Sequence, residues 1–431
     1  MTAAAFAATR RFAREHGQGA AIYLASFIGS KAVAFLGPLV LAAALRPDIY
    51  GALEMALSTG LVLAMVSSLG LWGAVPRVTL RANPIPIIDI LALFLSVAGL
   101  AFFLAGLAVA ATGLGAAAAL VCFVSMTSAA QGALTALCRT YSRRNVAVWV
   151  EGLATHVAIA VALASLLIGA ARIEHVAALS GLACAALTLG AFIVFLRTRR
   201  ADLAARLRSV MRTSLPLLGY SLVSVWLATS PRVLIGALLP AGFIAVYAVD
   251  FRFAGLLLGI NMLMMTGLFR RIYQMRTRRF DRLGAIYAGA LAIISLAFAL
   301  AVPVILAQVE MKALADAGAR DAAIAVFPLV MAQIYCWAVS AMLQMRVSRA
   351  RLVAPAVALQ TILAAATAGL FLWLTQTGMG FAGAVVLLLG QSVGVNLIEL
   401  GLLARKGLVM PRLAMSWAAA VALLASVWLL A

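Results

Sequence analysis

Apolar runs of about twenty residues recur along almost the whole chain, each long enough to cross the hydrocarbon layer of a bilayer as a helix. They lie near residues 21–44, 49–74, 86–110, 115–138, 146–170, 175–196, 214–239, 242–268, 283–307, 322–345, 353–375, 379–404 and 413–431. Thirteen such runs in 431 residues leave only short connections between them. Inside lipid every backbone amide needs a partner within the protein, and a helix supplies one from its own segment. The ten-residue segments of alternating polarity that build transmembrane barrels do not occur in the sequence. Charged residues make up 11% of the chain, where soluble domains carry roughly a quarter. The sequence therefore predicts an all-α polytopic membrane protein.

The formal net charge of +20 invites a nucleic-acid reading, so the placement of the charges decides the matter. Only Arg46, Arg172, Lys312 and Arg320 fall in one set of connections, and Lys31, Arg232 and Arg252 fall inside runs. The other 26 of the 33 Lys and Arg lie in the alternate connections and at the N-terminus. This alternation is the positive-inside pattern, and it predicts a cytoplasmic N-terminus. It explains the positive charge without nucleic acid. The first run follows Arg10, Arg11 and Arg14 but is too long for a signal-peptide core and contains Lys31, so it reads as a retained helix. Cys122, Cys138, Cys184 and Cys336 are scattered without metal-ligand spacing, which indicates neither a disulfide framework nor a zinc site.

The basic stretch at 197–213 follows six runs and divides the chain into an N-lobe at 21–196 and a C-lobe at 214–404. A basic segment at 1–20 precedes them and an extra helix at 413–431 follows. Six is even, so the second unit enters the membrane from the same side as the first, and any repeat is parallel. Tyr50 and Ile244, and Arg77 and Arg271, share an offset of 194 (244 − 50 and 271 − 77). In the central stretch Leu203, Leu207 and Val210 recur at helical spacing among arginines. That pattern fits an amphipathic helix on an anionic membrane surface, or a solvated loop.

The segments "GSKAVAFLGPLVLAAALRPDIYGALEMALSTG", "SSLGLWGAVPR", "LCRTYSRRNVA", "RVLIGALL…IAVYAVDFRFAG" and "GFAGAVVLLLG", in this order and spacing, resemble bacterial polysaccharide repeat-unit flippases of the Wzx type. These belong to the multidrug, oligosaccharidyl-lipid and polysaccharide exporter superfamily. The resemblance covers residues 20–404. It implies two six-helix lobes around a cavity that opens alternately to either side, and export of an undecaprenyl-pyrophosphate-linked oligosaccharide. Membrane lipids and other polysaccharide-assembly membrane proteins are the implied partners, with no cofactor. Ser230 and Pro231 stand where the family often has an acidic residue, and Asp250 stands where it expects a small one.

Seven ionisable residues lie well within runs: Lys31, Glu54, Glu151, Arg232, Asp250, Arg252 and Glu399. An unpaired charge at mid-bilayer costs roughly 2.5–3.5 kcal/mol on insertion scales, so each needs a partner or a watery cavity. Arg232 lies eight residues before Pro240 and Asp250 ten after it, which places them at similar depth on a helical hairpin, where a mutual ion pair is one reading. Arg252 is about 200° round the helix from Asp250 and faces elsewhere. With Lys31 it is the stronger candidate for substrate contact, and Arg232 the weaker. Arginine forks make bidentate bonds to phosphate oxygens. Glu54, Glu151 and Asp250 are candidates for ion or proton coupling, although Glu151 and His156 sit about 140° apart and form no obvious relay.

Two alternatives compete with a flippase. A multidrug antiporter of the same superfamily would use acidic groups such as Glu54, Glu151 and Asp250. A polysaccharide polymerase or ligase would need an outward active-site domain, and the longest connection on that side, about 307–322, is too short for one. No G-x-x-x-x-G-K loop is present for nucleotide hydrolysis. The membrane potential alone favours outward movement of an anion by roughly 2.3 kcal/mol per charge per 100 mV.

Overall fold

The computed structural model describes residues 3–80, 84–112, 115–141, 143–168 and 172–430, with side chains described except at 3–20, 144, 216, 220, 241, 264–274 and 317. Arg81 and the side chains of Arg10, Arg11, Arg14, Arg144, Arg270 and Arg271, counted above in the charge pattern, lie outside this set. In chain order the helices are α1 (Ala3–Ala44), α2 (Pro47–Ser67), α3 (Leu71–Thr79), α4 (Ile88–Ala111), α5 (Ala116–Thr140), α6 (Arg144–Val150), α7 (Leu153–Leu167) and α8 (Ile173–Thr198). There follow α9 (Leu203–Leu238), α10 (Ala241–Gln274), α11 (Thr277–Gln308), a 3-10 turn at Lys312–Leu314, α12 (Ala317–Arg349), α13 (Val353–Gln376), α14 (Phe381–Arg405) and α15 (Pro411–Leu430). Among the described residues, twelve helices are long and apolar enough to span a bilayer, so the chain is a multi-pass all-α membrane protein.

Two of the thirteen apolar runs depart from a plain spanning helix. The second, expected at 49–74, ends at Ser67 because Leu69 (φ 48°) and Gly70 (φ 76°) adopt left-handed backbone conformations, after which α3 sets off in a new direction. A side chain at position 70 would strike the Ser214 carbonyl of α9, so glycine is needed there for space as well as for φ. The fifth, expected as one helix at 146–170, is broken at Glu151–Gly152 into α6 and α7. A helix can break within hydrocarbon only if the freed backbone groups find other partners. Here the Ser30 hydroxyl donates to the Val148 carbonyl at 2.8 Å, and the Ala154 N–H donates to Gln131 Oε1 at 2.9 Å.

A parallel repeat is visible in the element boundaries. α1 and α9 end at Ala44 and Leu238, and α2 and α10 begin at Pro47 and Ala241, both 194 positions apart (238 − 44 and 241 − 47). In the first six-helix unit α2 packs on α5, and α4 lies against α5 and α8. In the second, α10 packs on α12 as α2 does on α5, but α11 lies against α12 and the extra helix α15. α15 is held there by Asp281, whose carboxylate accepts the Leu413 N–H at 2.9 Å near the helix start, and by Ser416, which donates to the Ala285 carbonyl at 3.2 Å.

The two units meet along α1 and α2 on one side and α9 and α10 on the other. Leu41, Leu45, Ile49 and Leu53 join Ile235, Ile244, Val246 and Val249 in one continuous apolar core, and the Lys312–Leu314 turn packs on α1, α2 and α10. The start of α9 is an amphipathic helix and not a solvated loop, and its apolar stripe packs on protein. Val210 is fully buried and Leu203 and Leu207 are partly covered by a cluster that includes Leu71, Val75, Ile87 and Ile90. Arg206 reaches Asp89 through two hydrogen bonds, donates to the Pro86 carbonyl at 2.8 Å and pairs with Asp202 at 2.8 Å. Hydrogen bonding to Asp89 raises the already high pKa of this guanidinium, so it stays charged over the accessible pH range.

Candidate functional site

Two clusters of intramembrane charge lie beside α1. In the first, Glu54 on α2 is 1% exposed and accepts from Arg252 Nε at 2.8 Å and from Arg252 Nη2 at 2.9 Å, one bond to each carboxylate oxygen. Such a fork is the strongest common ion-pair geometry, and it offsets the cost of removing both charges from water. Arg232 of α9 adds a longer contact, Nη1 to Glu54 Oε2 at 3.4 Å, and its guanidinium lies 4.3 Å from the centre of the Phe251 ring. Arg252 Nη1 also donates to the Ala34 carbonyl of α1 at 3.3 Å.

The second cluster sits at the break between α6 and α7. Glu151 Oε2 accepts from Lys31 Nζ at 3.2 Å, and Glu151 Oε1 accepts from Arg139 Nε at 3.1 Å and from its Nη2. Lys31 and Ala34 are one turn apart on α1, so this helix touches both clusters. Glu151 and Arg139 line a cavity of about 410 Å³ whose other walls include Trp72 and Pro76 of α3 and Gln131, Thr135 and Thr140 of α5. The Arg139 side chain is 63% exposed while Glu151 is largely covered.

Asp250 and Glu399 lie apart from both clusters. The hairpin pair between Arg232 and Asp250 does not form: Arg232 turns to Glu54, and both Asp250 oxygens are buried without a hydrogen-bond partner. The reason is geometric, since Asp250 and Arg252 occupy opposite faces of α10 and the guanidinium groups follow the Arg252 face toward α2. Glu399 is buried in the second unit, where Ser340 donates to its carboxylate at 3.0 and 3.1 Å and Gln360 Nε2 donates at 3.1 Å. His156 lies beside Trp149 in a tilted arrangement with ring centres 5.8 Å apart and makes no bond to Glu151.

The six candidate site residues thus divide. Lys31 and Glu151 meet at one cluster, Arg232, Arg252 and Glu54 at the other, and Asp250 stands alone. Arg139 was missed because it closes the fifth helix among residues that count as positive-inside loop charges. The signal for it was the carboxylate–glycine pair at Glu151–Gly152 twelve residues later, which interrupts an apolar run and calls for a cation. Among the described residues no group of His, Cys, Asp and Glu is arranged to hold a metal ion.

No family model matches this sequence, and no curated protein matches it. Among solved structures the chain is similar to an outward-facing multidrug resistance MATE family transporter of the MOP superfamily, with 12% identity, a TM-score of 0.44 and coverage of 90% of this chain and 95% of that one. It is also similar to a MATE protein in complex with MaL6, with 14% identity, a TM-score of 0.46 and the same coverage.

Proposed function

We propose that this chain is a transporter that carries a lipid-linked oligosaccharide with a diphosphate headgroup, of the undecaprenyl-pyrophosphate type, from the inner to the outer leaflet of a bacterial cytoplasmic membrane. The observation that carries this reading is the charge ratio of the two clusters beside α1. Four cationic side chains, Lys31, Arg139, Arg232 and Arg252, face two carboxylates, Glu54 and Glu151. Summed over the seven intramembrane residues of the sequence the charge is slightly negative. The structure alters that sum by setting Asp250 and Glu399 aside and adding Arg139. A surplus of positive charge around the break of a discontinuous helix suits an anionic headgroup. The polyprenyl tail would stay in lipid while the polar part passes between the units.

A cationic-drug antiporter is the second reading, and it needs a free carboxylate in contact with its cargo. Both carboxylates at this face already serve two cations each, and Asp250 and Glu399 are sealed from solvent. An anionic cargo moving out of a negative interior is driven by the membrane potential itself, so the reading requires no coupling ion. Its test is the leaflet distribution of lipid-linked oligosaccharide in cells depleted of this protein, compared with complemented cells. Accumulation of the inner-leaflet form on depletion is expected, and an unchanged distribution together with lost drug resistance would replace the reading with drug export.

A further inference from the structure

We propose that Glu54 is a resident anion, occupying in the empty transporter the place that one phosphate of the substrate takes during transport. The inference rests on the lipid-diphosphate reading given above. Three features of the first cluster carry it. Arg252 grips the two Glu54 oxygens with two parallel bonds, the pattern a guanidinium uses equally for carboxylate and for phosphate.

The cluster also holds more donors than Glu54 consumes. Arg232 reaches the carboxylate with one nitrogen at 3.4 Å while its Nε is buried with no acceptor. The Tyr50 hydroxyl, one turn before Glu54 on the same face of α2, is fully buried beside Glu54 and both guanidinium groups, and its contact with Glu54 falls short of a well-formed hydrogen bond. Buried donors without acceptors are costly, and natural sites keep few of them. A diphosphate, with more acceptor oxygens than a carboxylate, satisfies the whole set.

Finally, Glu54 belongs to the first unit and both arginines to the second. Exchange of Glu54 for the substrate anion removes the ion pairs that join α2 to α9 and α10. The released carboxylate is hydrated by water that accompanies the headgroup. Binding of the cargo is thereby linked to loosening of the contact between the units, while in its absence Glu54 keeps them joined.

The experiment measures binding of farnesyl diphosphate, a short prenyl diphosphate, to the purified full-length protein in detergent, for the wild type, Glu54→Gln and Arg252→Gln, with thermal unfolding of each variant as a check on folding. Removing the competing anion is expected to tighten binding about tenfold in Glu54→Gln, and Arg252→Gln is expected to weaken it by a similar factor. Wild-type binding that is unchanged or weakened in a folded Glu54→Gln would overturn the inference and leave the proposed substrate class standing. If Glu54→Gln does not fold, Glu54→Asp serves, since a shorter carboxylate is a poorer competitor; it too must bind more tightly, and equal or weaker binding overturns the inference. Absence of binding in every folded form would overturn the lipid-diphosphate reading itself, and the inference with it.

Discussion

The two charged clusters share a composition, one carboxylate between two cations, and differ in where they sit. Around Glu54 the groups are buried and bridge the two six-helix units through a bidentate arginine. Around Glu151 they lie within the first unit, at a helix break, with an exposed arginine on the wall of a cavity. The same ionic arithmetic therefore does different physical work. In a dry site a carboxylate and a guanidinium hold each other strongly and are hard to separate. At a wet edge the same pair is weak in the ground state and available to an arriving anion. On the proposed function, the Glu151 cluster would make first contact with a headgroup and the Glu54 cluster would hold it between the units.

The largest effect that this contrast predicts is at Arg252. Arg252→Ala leaves Glu54 buried with only the longer Arg232 contact, and a loss of about 3–5 kcal/mol in stability is expected, read by thermal or denaturant unfolding in detergent. Glu54→Gln combined with Arg252→Gln should recover part of that loss, because the buried carboxylate is gone and only Arg232, which rests on the Phe251 ring, stays charged; failure to recover would mean that Arg252 acts mainly through its bond to Ala34. At the second cluster Lys31→Ala removes one of two cations from a partly covered carboxylate, and a smaller loss of about 1.5–3 kcal/mol follows. If Lys31→Ala proves as damaging as Arg252→Ala, the distinction between a dry and a wet cluster fails.

Arg139→Ala should cost under about 1 kcal/mol in stability, since the side chain is mostly in solvent. Its transport defect should instead appear as slower capture of anionic substrate, and the difference from wild type should shrink as ionic strength rises. The smallest effect belongs to Asp250. Asp250→Asn keeps the shape and removes an uncompensated carboxylate, so the melting temperature should stay level or rise. A collapse comparable with that of Arg252→Ala would show that Asp250 is tied to the guanidinium groups after all.

Much of the architecture could be read from local chemistry. Apolar run length gave the spans, and the offset of 194 shared by Tyr50–Ile244 and Arg77–Arg271 marked the repeat. The break at Glu151–Gly152 was legible in principle, as a carboxylate followed by glycine in the middle of a span, but length alone passed over it. What the sequence could not convey was pairing between distant helices. Leu203, Leu207 and Val210 show an apolar stripe, and nothing local says whether lipid or protein covers it. The answer lies in Asp89, 117 residues from Arg206. Likewise Arg232 and Asp250 are near in sequence and at similar depth, yet rotation about the helix axis sends Arg232 to a carboxylate 178 residues away.

The most direct test of the central claim is the movement of a fluorescent polyprenyl-diphosphate oligosaccharide across the bilayer of vesicles holding the purified protein, compared for the wild type and Lys31→Gln combined with Arg139→Gln. The account predicts that the wild type moves the lipid well above protein-free vesicles and that the folded double variant loses most of that activity. A wild type no faster than protein-free vesicles, or a double variant that keeps pace with it, would contradict the claim that these cations carry the diphosphate between the leaflets.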